Sequence, residues 1–244
     1  VKLIEKPGDD KVYFIDEKNV IDFIKQTNPR GVVGQISIPE LEKKVNFFPS
    51  VDSANVYLNL NGNLNIDIHQ RVPAFRLQVN DQDFYVDKRG QEFPTSKNYS
   101  HPVLLVKGAV SKKDYKAIAG LVDLINQDSF AKNYFIGIHK QNESYHLLTS
   151  EGNFKVELGD LDNIELKLKG FKSFVEKFLV YQDPEKYNKI SVRYDNQIVT
   201  TLNPHYKPND SILSARLKEF EKAPEIARRK ALAQAGLREA QVAN

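Results

Sequence analysis

Apolar and polar positions near the start of the chain alternate first at a short period, then at a helical one, then at the short one again. Residues 1–4 predict a short strand. Asp16 stands where a helix cap is needed, ahead of Val20, Ile21, Phe23 and Ile24 at helical spacing, and Asn28-Pro29 and Gly31 end that helix. Pro39, with Glu40 and Glu42 beside it, opens a second short helix through Leu41 and Val45, which Pro49 closes. Val56, Leu58 and Leu60 then alternate with polar residues, as do Leu64, Ile66 and Ile68 after Asn61-Gly62. That dipeptide predicts a hairpin turn with positive φ at both turn positions. The first segment thus reads strand, helix, helix, strand, strand.

The second strand of the hairpin runs through His69, Gln70 and Arg71 into Pro73. Proline lacks a ladder donor, so it marks an edge or a change of sheet, and a domain boundary is expected near residues 72–82. Beyond it, Phe84 and Val86 precede a Lys88-Arg89-Gly90 turn leading to Phe93, and HPVLLVKG reads as an apolar strand. Ser111 can cap a helix that places Tyr115, Ile118, Val122 and Ile125 on one face. Alternating runs follow at Tyr134, Ile136 and Ile138, at Tyr145 and Leu147, and at Phe154, Val156 and Leu158, with turns at Gln141-Asn142 and Glu151-Gly152. A second amphipathic helix carries Leu168, Phe171, Phe174, Val175 and Phe178, and two last strands, residues 190–194 and 198–202, flank Asp195-Asn196. The fold class is α+β, with an antiparallel sheet covered by helices on one face. From Asn203 to Asn244 the chain turns alanine-rich and charged. Pro224 can open a helix there, but Ile226, Leu232, Leu237 and Val242 form only a narrow stripe, too little to hold an isolated helix.

Length permits two small domains. No stretch approaches the ~18 consecutive apolar residues of a membrane helix. The chain begins at Val1, without methionine or a signal-peptide profile, so a fragment of a longer protein is expected. Eight of the 35 basic residues but only five of the 32 acidic ones lie from His205 onward, so the net charge of +3 sits in the tail. The remainder is balanced and offers no electrostatic case for nucleic acid. With no cysteine there is neither a disulfide framework nor a thiolate nucleophile.

Enzyme signatures are missing: no phosphate-binding loop, no dinucleotide fingerprint, no nucleophile-elbow serine and no HExxH pair. Asp9-Asp10 and Glu40 with Glu42 read as solvated carboxylates. Of the five histidines (His69, His101, His139, His146, His205), His139 and His146 can face each other across one hairpin. A zinc site would need a third ligand that nothing in the sequence names, and surface strand histidines are the plainer reading. Arg71 reads equally as an exposed strand arginine or as one paired with a carboxylate to lock the angle between two domains.

Several stretches together resemble the extracytoplasmic part of the FtsQ/DivIB cell-division family, in its Bacteroidota version: FIDEKNVIDFI, LEKKVNFFPSVDSANVYLNLNGNLNIDIHQRVPAFRL, FYVDKRGQEFP and NKISVRYDNQIVT. The most specific pieces are Pro49-x-Val51, Gln70-Arg71-x-Pro73, Tyr85-x-Asp87 with Gly90, and Arg193-Tyr194. Many members carry glutamate where Gln70 stands. The resemblance implies a POTRA domain (β-α-α-β-β, residues 1–80), a β domain (82–202) and, outside the resemblance, a C-terminal helical extension (203–244). It implies a non-enzymatic divisome scaffold without a cofactor or metal, held in the inner membrane by a single N-terminal helix absent from this chain, with these domains in the periplasm. Its partners would be FtsB-like and FtsL-like proteins, and it would help regulate septal peptidoglycan synthesis. By position, Arg193, Tyr194 and Asn196 match the family's contact motif, and Ile198, Val199, Thr200, Thr201 and Leu202 form the strand that receives a partner strand. Gln70, Arg71 and Pro73 fall between the domains. The rival readings are a POTRA module for outer-membrane protein assembly and an extracytoplasmic hydrolase.

Overall fold

The computed structural model describes residues 1–4, 11–27, 36–222 and 224. Two sheets organise them, and each has its own core. The smaller sheet is ordered β1 (Lys2–Ile4), β3 (Leu64–Gln70), β2 (Val51–Leu58), with β1 parallel and β2 antiparallel to β3. Helices α1 (Glu17–Thr27) and α2 (Ile38–Asn46) lie between β1 and β2 in the chain. Asp16 caps α1 by accepting from the Lys18 amide at 2.9 Å, and proline stands in the first turn of α2. Val20, Leu41 and Val45 from the helices meet Val51, Val56, Ile66 and Ile68 from the sheet in one core. The hairpin forms, but its turn is longer than Asn61-Gly62 predicts. Only Gly62 has positive φ (77°), and the Asn59 side chain accepts from the amides of Asn61 and Asn63. This side-chain cap organises a five-residue loop, which leaves Leu60 exposed.

The larger sheet has nine strands, ordered β12 (Gln197–Leu202), β11 (Tyr187–Tyr194), β10 (Lys155–Gly159), β9 (Ser144–Thr149), β8 (Phe135–Gln141), β7 (Leu105–Gly108), β4 (Pro73–Val79), β5 (Gln82–Asp87) and β6 (Glu92–Pro94). The sheet is mixed, which corrects the antiparallel expectation: β4–β7, β7–β8 and β10–β11 pair in parallel. Parallel neighbours require a long crossover. Helices α3 (Tyr115–Gln127) and α4 (Ser129–Tyr134) supply one between β7 and β8, and α5 (Ile164–Lys177) supplies another between β10 and β11. Alternation along one strand fixes which residues face inward but not the direction of the neighbour. Val106, Ile138, Leu147, Val156 and Ile190 face the helices and pack with Ile118, Val122, Ile125 and Phe171.

The chain passes from the small sheet to the large one at Arg71-Val72. Pro73 opens an interior strand at its first residue, beside a register shift, where its missing donor does least harm. The tight turn that follows, Asn80-Asp81, has positive φ at both positions (49° and 60°). After β12, Asn209 is buried and donates to the Lys186 and Asn203 carbonyls at 2.8 and 2.9 Å. Residues 210–222 are helical, so this helix starts well before Pro224. The stripe of Ile226, Leu232, Leu237 and Val242 lies outside the described residues.

Candidate functional site

A sheet edge is a chain of unpaired backbone donors and acceptors, and folded proteins block such edges unless they use them. Among the described residues, three of the four sheet edges are short or blocked. β1 and β6 are three residues long, and β6 ends in Pro94. Along the outer side of β2, α2 lends two side chains: Asn46 accepts from the Ala54 amide at 2.8 Å, and Glu42 from the Val56 amide at 3.1 Å. β12 differs. It is six residues long, carries no charge and no proline, and among the described residues no strand or side chain pairs with its outer rim.

The residues matching the contact motif gather at the tip of the β11–β12 hairpin. Tyr194 pairs with Gln197 across Asp195-Asn196, and Asn196 takes the left-handed conformation (φ 56°). The Tyr194 side chain is 55% exposed, with the Arg193 guanidinium 5.9 Å from its ring centre. The Arg193 stem crosses Gly159, where an added Cβ would lie 2.6 Å from Arg193 Cγ, so only glycine permits this placement. Along β12, Val199 and Thr201 are exposed while Ile198 and Leu202 reach the core. Thr200 lies opposite Ile190. Beside the hairpin, an open groove of about 200 Å³ is lined by Leu166 and Gly170 of α5 and by Val192, Tyr194 and Ile198.

The second group of residues, Gln70, Arg71 and Pro73, lies where the two sheets meet. Arg71 donates to Asp87 at 2.6 Å, to the Val51 carbonyl at 2.9 Å and to the Pro49 carbonyl at 3.2 Å. It thereby ties the start of β2 to the end of β5. Asp87 also accepts from the Arg89 and Gln91 amides, and Arg89 pairs with Asp52. Gln70 uses both ends of its amide: Oε1 accepts from the Ile15 amide at 2.9 Å and Nε2 donates to the Val12 carbonyl at 2.8 Å. These bonds hold residues 11–16 as a strap across the helix-free face of the large sheet. There Phe14 meets Tyr85, Phe93 and Tyr99 edge-on, at 5.3, 5.4 and 4.9 Å between ring centres.

A glutamate at position 70 could accept from the Ile15 amide but not donate to the Val12 carbonyl. Gln70→Glu is therefore expected to weaken the strap by about 1–2 kcal/mol. Hydrogen exchange should speed up at residues 11–16, and unchanged protection there would refute the clamp.

His139 and His146 do pair across β8 and β9, with ring centres 6.4 Å apart. The next residue in the row, Glu157, is held by Lys189 at 3.0 Å instead of completing a ligand set. Among the described residues no cluster of three or more histidines and carboxylates is arranged to hold a metal. His101 is buried and bonded to the Tyr99 hydroxyl at 2.9 Å, and His205 is exposed. Burial pushes the Glu157 carboxyl up, but Lys189, Ser191 and His146 together outweigh this and leave it low. Burial lowers both imidazoles. The nearby Lys155 lowers them further, while Glu157 partly opposes the shift at His146.

The folded chain therefore binds fewer protons at these histidines than the unfolded chain does below about pH 6.5. Stability intact above that pH is lost as pH falls. The urea midpoint should drop between about pH 7.5 and about pH 5.5, and His146→Gln should flatten the drop. An equally steep drop in the variant would refute the assignment. Asp114 acts in a separate, more acidic window. Burial raises its carboxyl, but Lys140, Ser111 and Tyr145 together hold it well below the usual carboxylate range.

The β2 caps, the strap and the Asp87 hub escape periodicity, because each joins residues far apart in the chain. Only Asp87 left a local signal, as an Asp three residues before Gly90 in a turn. Among the described residues no helix is long and apolar enough to cross a membrane. A family model described as FtsQ/DivIB, C-terminal related, matches residues 72–201, which covers β4 through nearly all of β12. No curated protein matches the chain.

Proposed function

The chain belongs to the FtsQ/DivIB C-terminal-related family, which points to a role in cell division, and we propose that it serves there as a non-catalytic scaffold of the divisome. Residues 1–72 are the POTRA domain, and residues 73–202 are the β domain that recruits partners. An FtsB-like protein, with an FtsL-like companion, docks by adding a strand to β12. The chain acts in the periplasm, anchored by a membrane helix on its N-terminal side, and influences septal peptidoglycan synthesis through the partners it gathers.

The observation that carries this reading is the contrast between edges: β2 is capped by Asn46 and Glu42, whereas the uncharged β12, longer than the edge strands β1 and β6, has an open rim among the described residues. Backbone pairing supplies affinity, and alternate side chains supply selectivity. On the helix side, the groove at Gly170 can take an apolar side chain of the partner. The joint made by Arg71 and the strap holds the POTRA domain and β domain at a set angle.

A photo-crosslinking residue placed at Thr201 in dividing cells tests the proposal. The expected product is an adduct with an FtsB-type protein. Adducts absent at Thr201 but present at Lys116, on the α3 surface, would overturn docking at β12.

A further inference from the structure

Asn61 is the only asparagine of the chain followed by glycine. Both residues stand exposed at the tip of the β2–β3 hairpin, and a Cβ added at Gly62 would meet nothing. The backbone nitrogen after an asparagine lies a single ring closure away from the side-chain amide carbon, and glycine, lacking a side chain, shields that nitrogen least. Burial protects neither group here.

We propose that Asn61 is a site of self-modification, where the side-chain amide converts to a carboxylate at a rate governed by Asn59. The Gly62 nitrogen gives up its proton and bonds to Cγ of Asn61. The Cγ–Nδ2 bond breaks, the departing nitrogen takes up a proton and leaves as ammonia, and a cyclic imide remains. Water then cleaves one of the two imide C–N bonds. Cleavage at Cγ yields aspartate, and cleavage at the main-chain carbonyl yields isoaspartate, whose main chain is lengthened by a methylene. Nothing is oxidised or reduced, and solvent water is the only co-reactant.

Asn59 opposes the first step from two sides. Its carbonyl accepts from the Gly62 amide at 3.0 Å, which retains the proton that must leave and ties down the nitrogen that must move. Its side-chain Oδ1 accepts from the Asn61 amide at 3.2 Å and the Asn63 amide at 2.8 Å, so the residues around the reacting bond are held as well. Ring closure therefore requires the loop to open. Opening loses no core contact at Leu60, which is fully exposed, so the event stays local to the tip.

The product changes the hairpin. Residues 58–66 carry no charged side chain, so the new carboxylate is the first charge at this tip. Isoaspartate also lengthens a loop that spans the Leu58–Leu64 pair and the Asn59–Asn63 bond, and at least one of the Asn59 contacts must give way. Ammonia is lost to solvent, so older copies of the chain accumulate the change on the small sheet while β12, on the other sheet, is untouched.

Peptide mapping by mass spectrometry tests this on the full chain held in warm, mildly alkaline buffer, with two variants. Asn59→Ala removes the side-chain acceptor and keeps the carbonyl, and Asn59→Asp keeps an acceptor oxygen; circular dichroism would verify that both remain folded. Conversion is expected at Asn61 in the folded wild-type chain, about fivefold faster in Asn59→Ala, near the wild-type rate in Asn59→Asp, and fastest in guanidinium-unfolded chain. An Asn59→Ala rate equal to wild type, or an Asn59→Asp rate equal to that of Asn59→Ala, removes Asn59 as the brake. Independently of any variant, two results overturn the inference: a folded wild-type chain that reacts as fast as the unfolded one, or one that shows no conversion at Asn61 once the unfolded chain has fully converted.

Discussion

Arg71→Met is expected to destabilise the chain by about 3 kcal/mol, read as a lower urea midpoint, because it strands a buried carboxylate. Arg71 and Asp87 are mostly shielded from water, with side chains 16% and 6% exposed. Methionine keeps the apolar stem but removes every donor, so Asp87 loses its charge partner and the Pro49 and Val51 carbonyls lose theirs. Adding Asp87→Asn removes the stranded charge while its side-chain oxygen can still accept from the Arg89 and Gln91 amides. The double variant should therefore recover part of the loss. A single-variant loss below about 1 kcal/mol, or a double variant no better than the single, would show that the pair does not hold the joint.

Tyr194→Ala should leave stability nearly unchanged and weaken binding of an FtsB-type periplasmic segment about thirtyfold, a loss of roughly 2 kcal/mol. The two effects separate because the ring already stands half in water at the hairpin tip, so its removal opens no cavity in the core. On docking, the same ring would be covered between the partner and the Arg193 guanidinium. An aromatic side chain with two rotatable bonds loses little entropy when fixed. Titration calorimetry on both proteins would decide: equal affinities remove Tyr194 as an anchor, and a large fall in the urea midpoint would assign it to the fold instead.

The two predictions address different parts of one assembly. Arg71 sits where the two sheets join, and Tyr194 sits near the far edge of the large sheet, where a partner would arrive. An angle fixed at the joint sets where β12 points relative to the small sheet. Loosening the joint by Gln70→Glu should thus leave the affinity of β12 for an isolated segment intact.

Local pattern alone determined much of this molecule. Val20, Leu41, Val45, Ile66 and Ile68 were recognisable as core from their spacing, as were Ile118, Val122, Ile125 and Phe171. A period of 3.6 or 2 is a property of neighbours in sequence, so one chain suffices to reveal it. The last hairpin, two strands flanking Asp195-Asn196, was legible for the same reason. Tertiary structure decided what depends on residues brought together from afar: parallel pairing of β4, β7 and β8, the Arg71–Asp87 tie, the Phe14 strap and the capping of β2 by α2. It also decided which edge stays open. A strand's own sequence shows that it could accept a partner, but only the packing around it determines whether its outer donors and acceptors have already been satisfied.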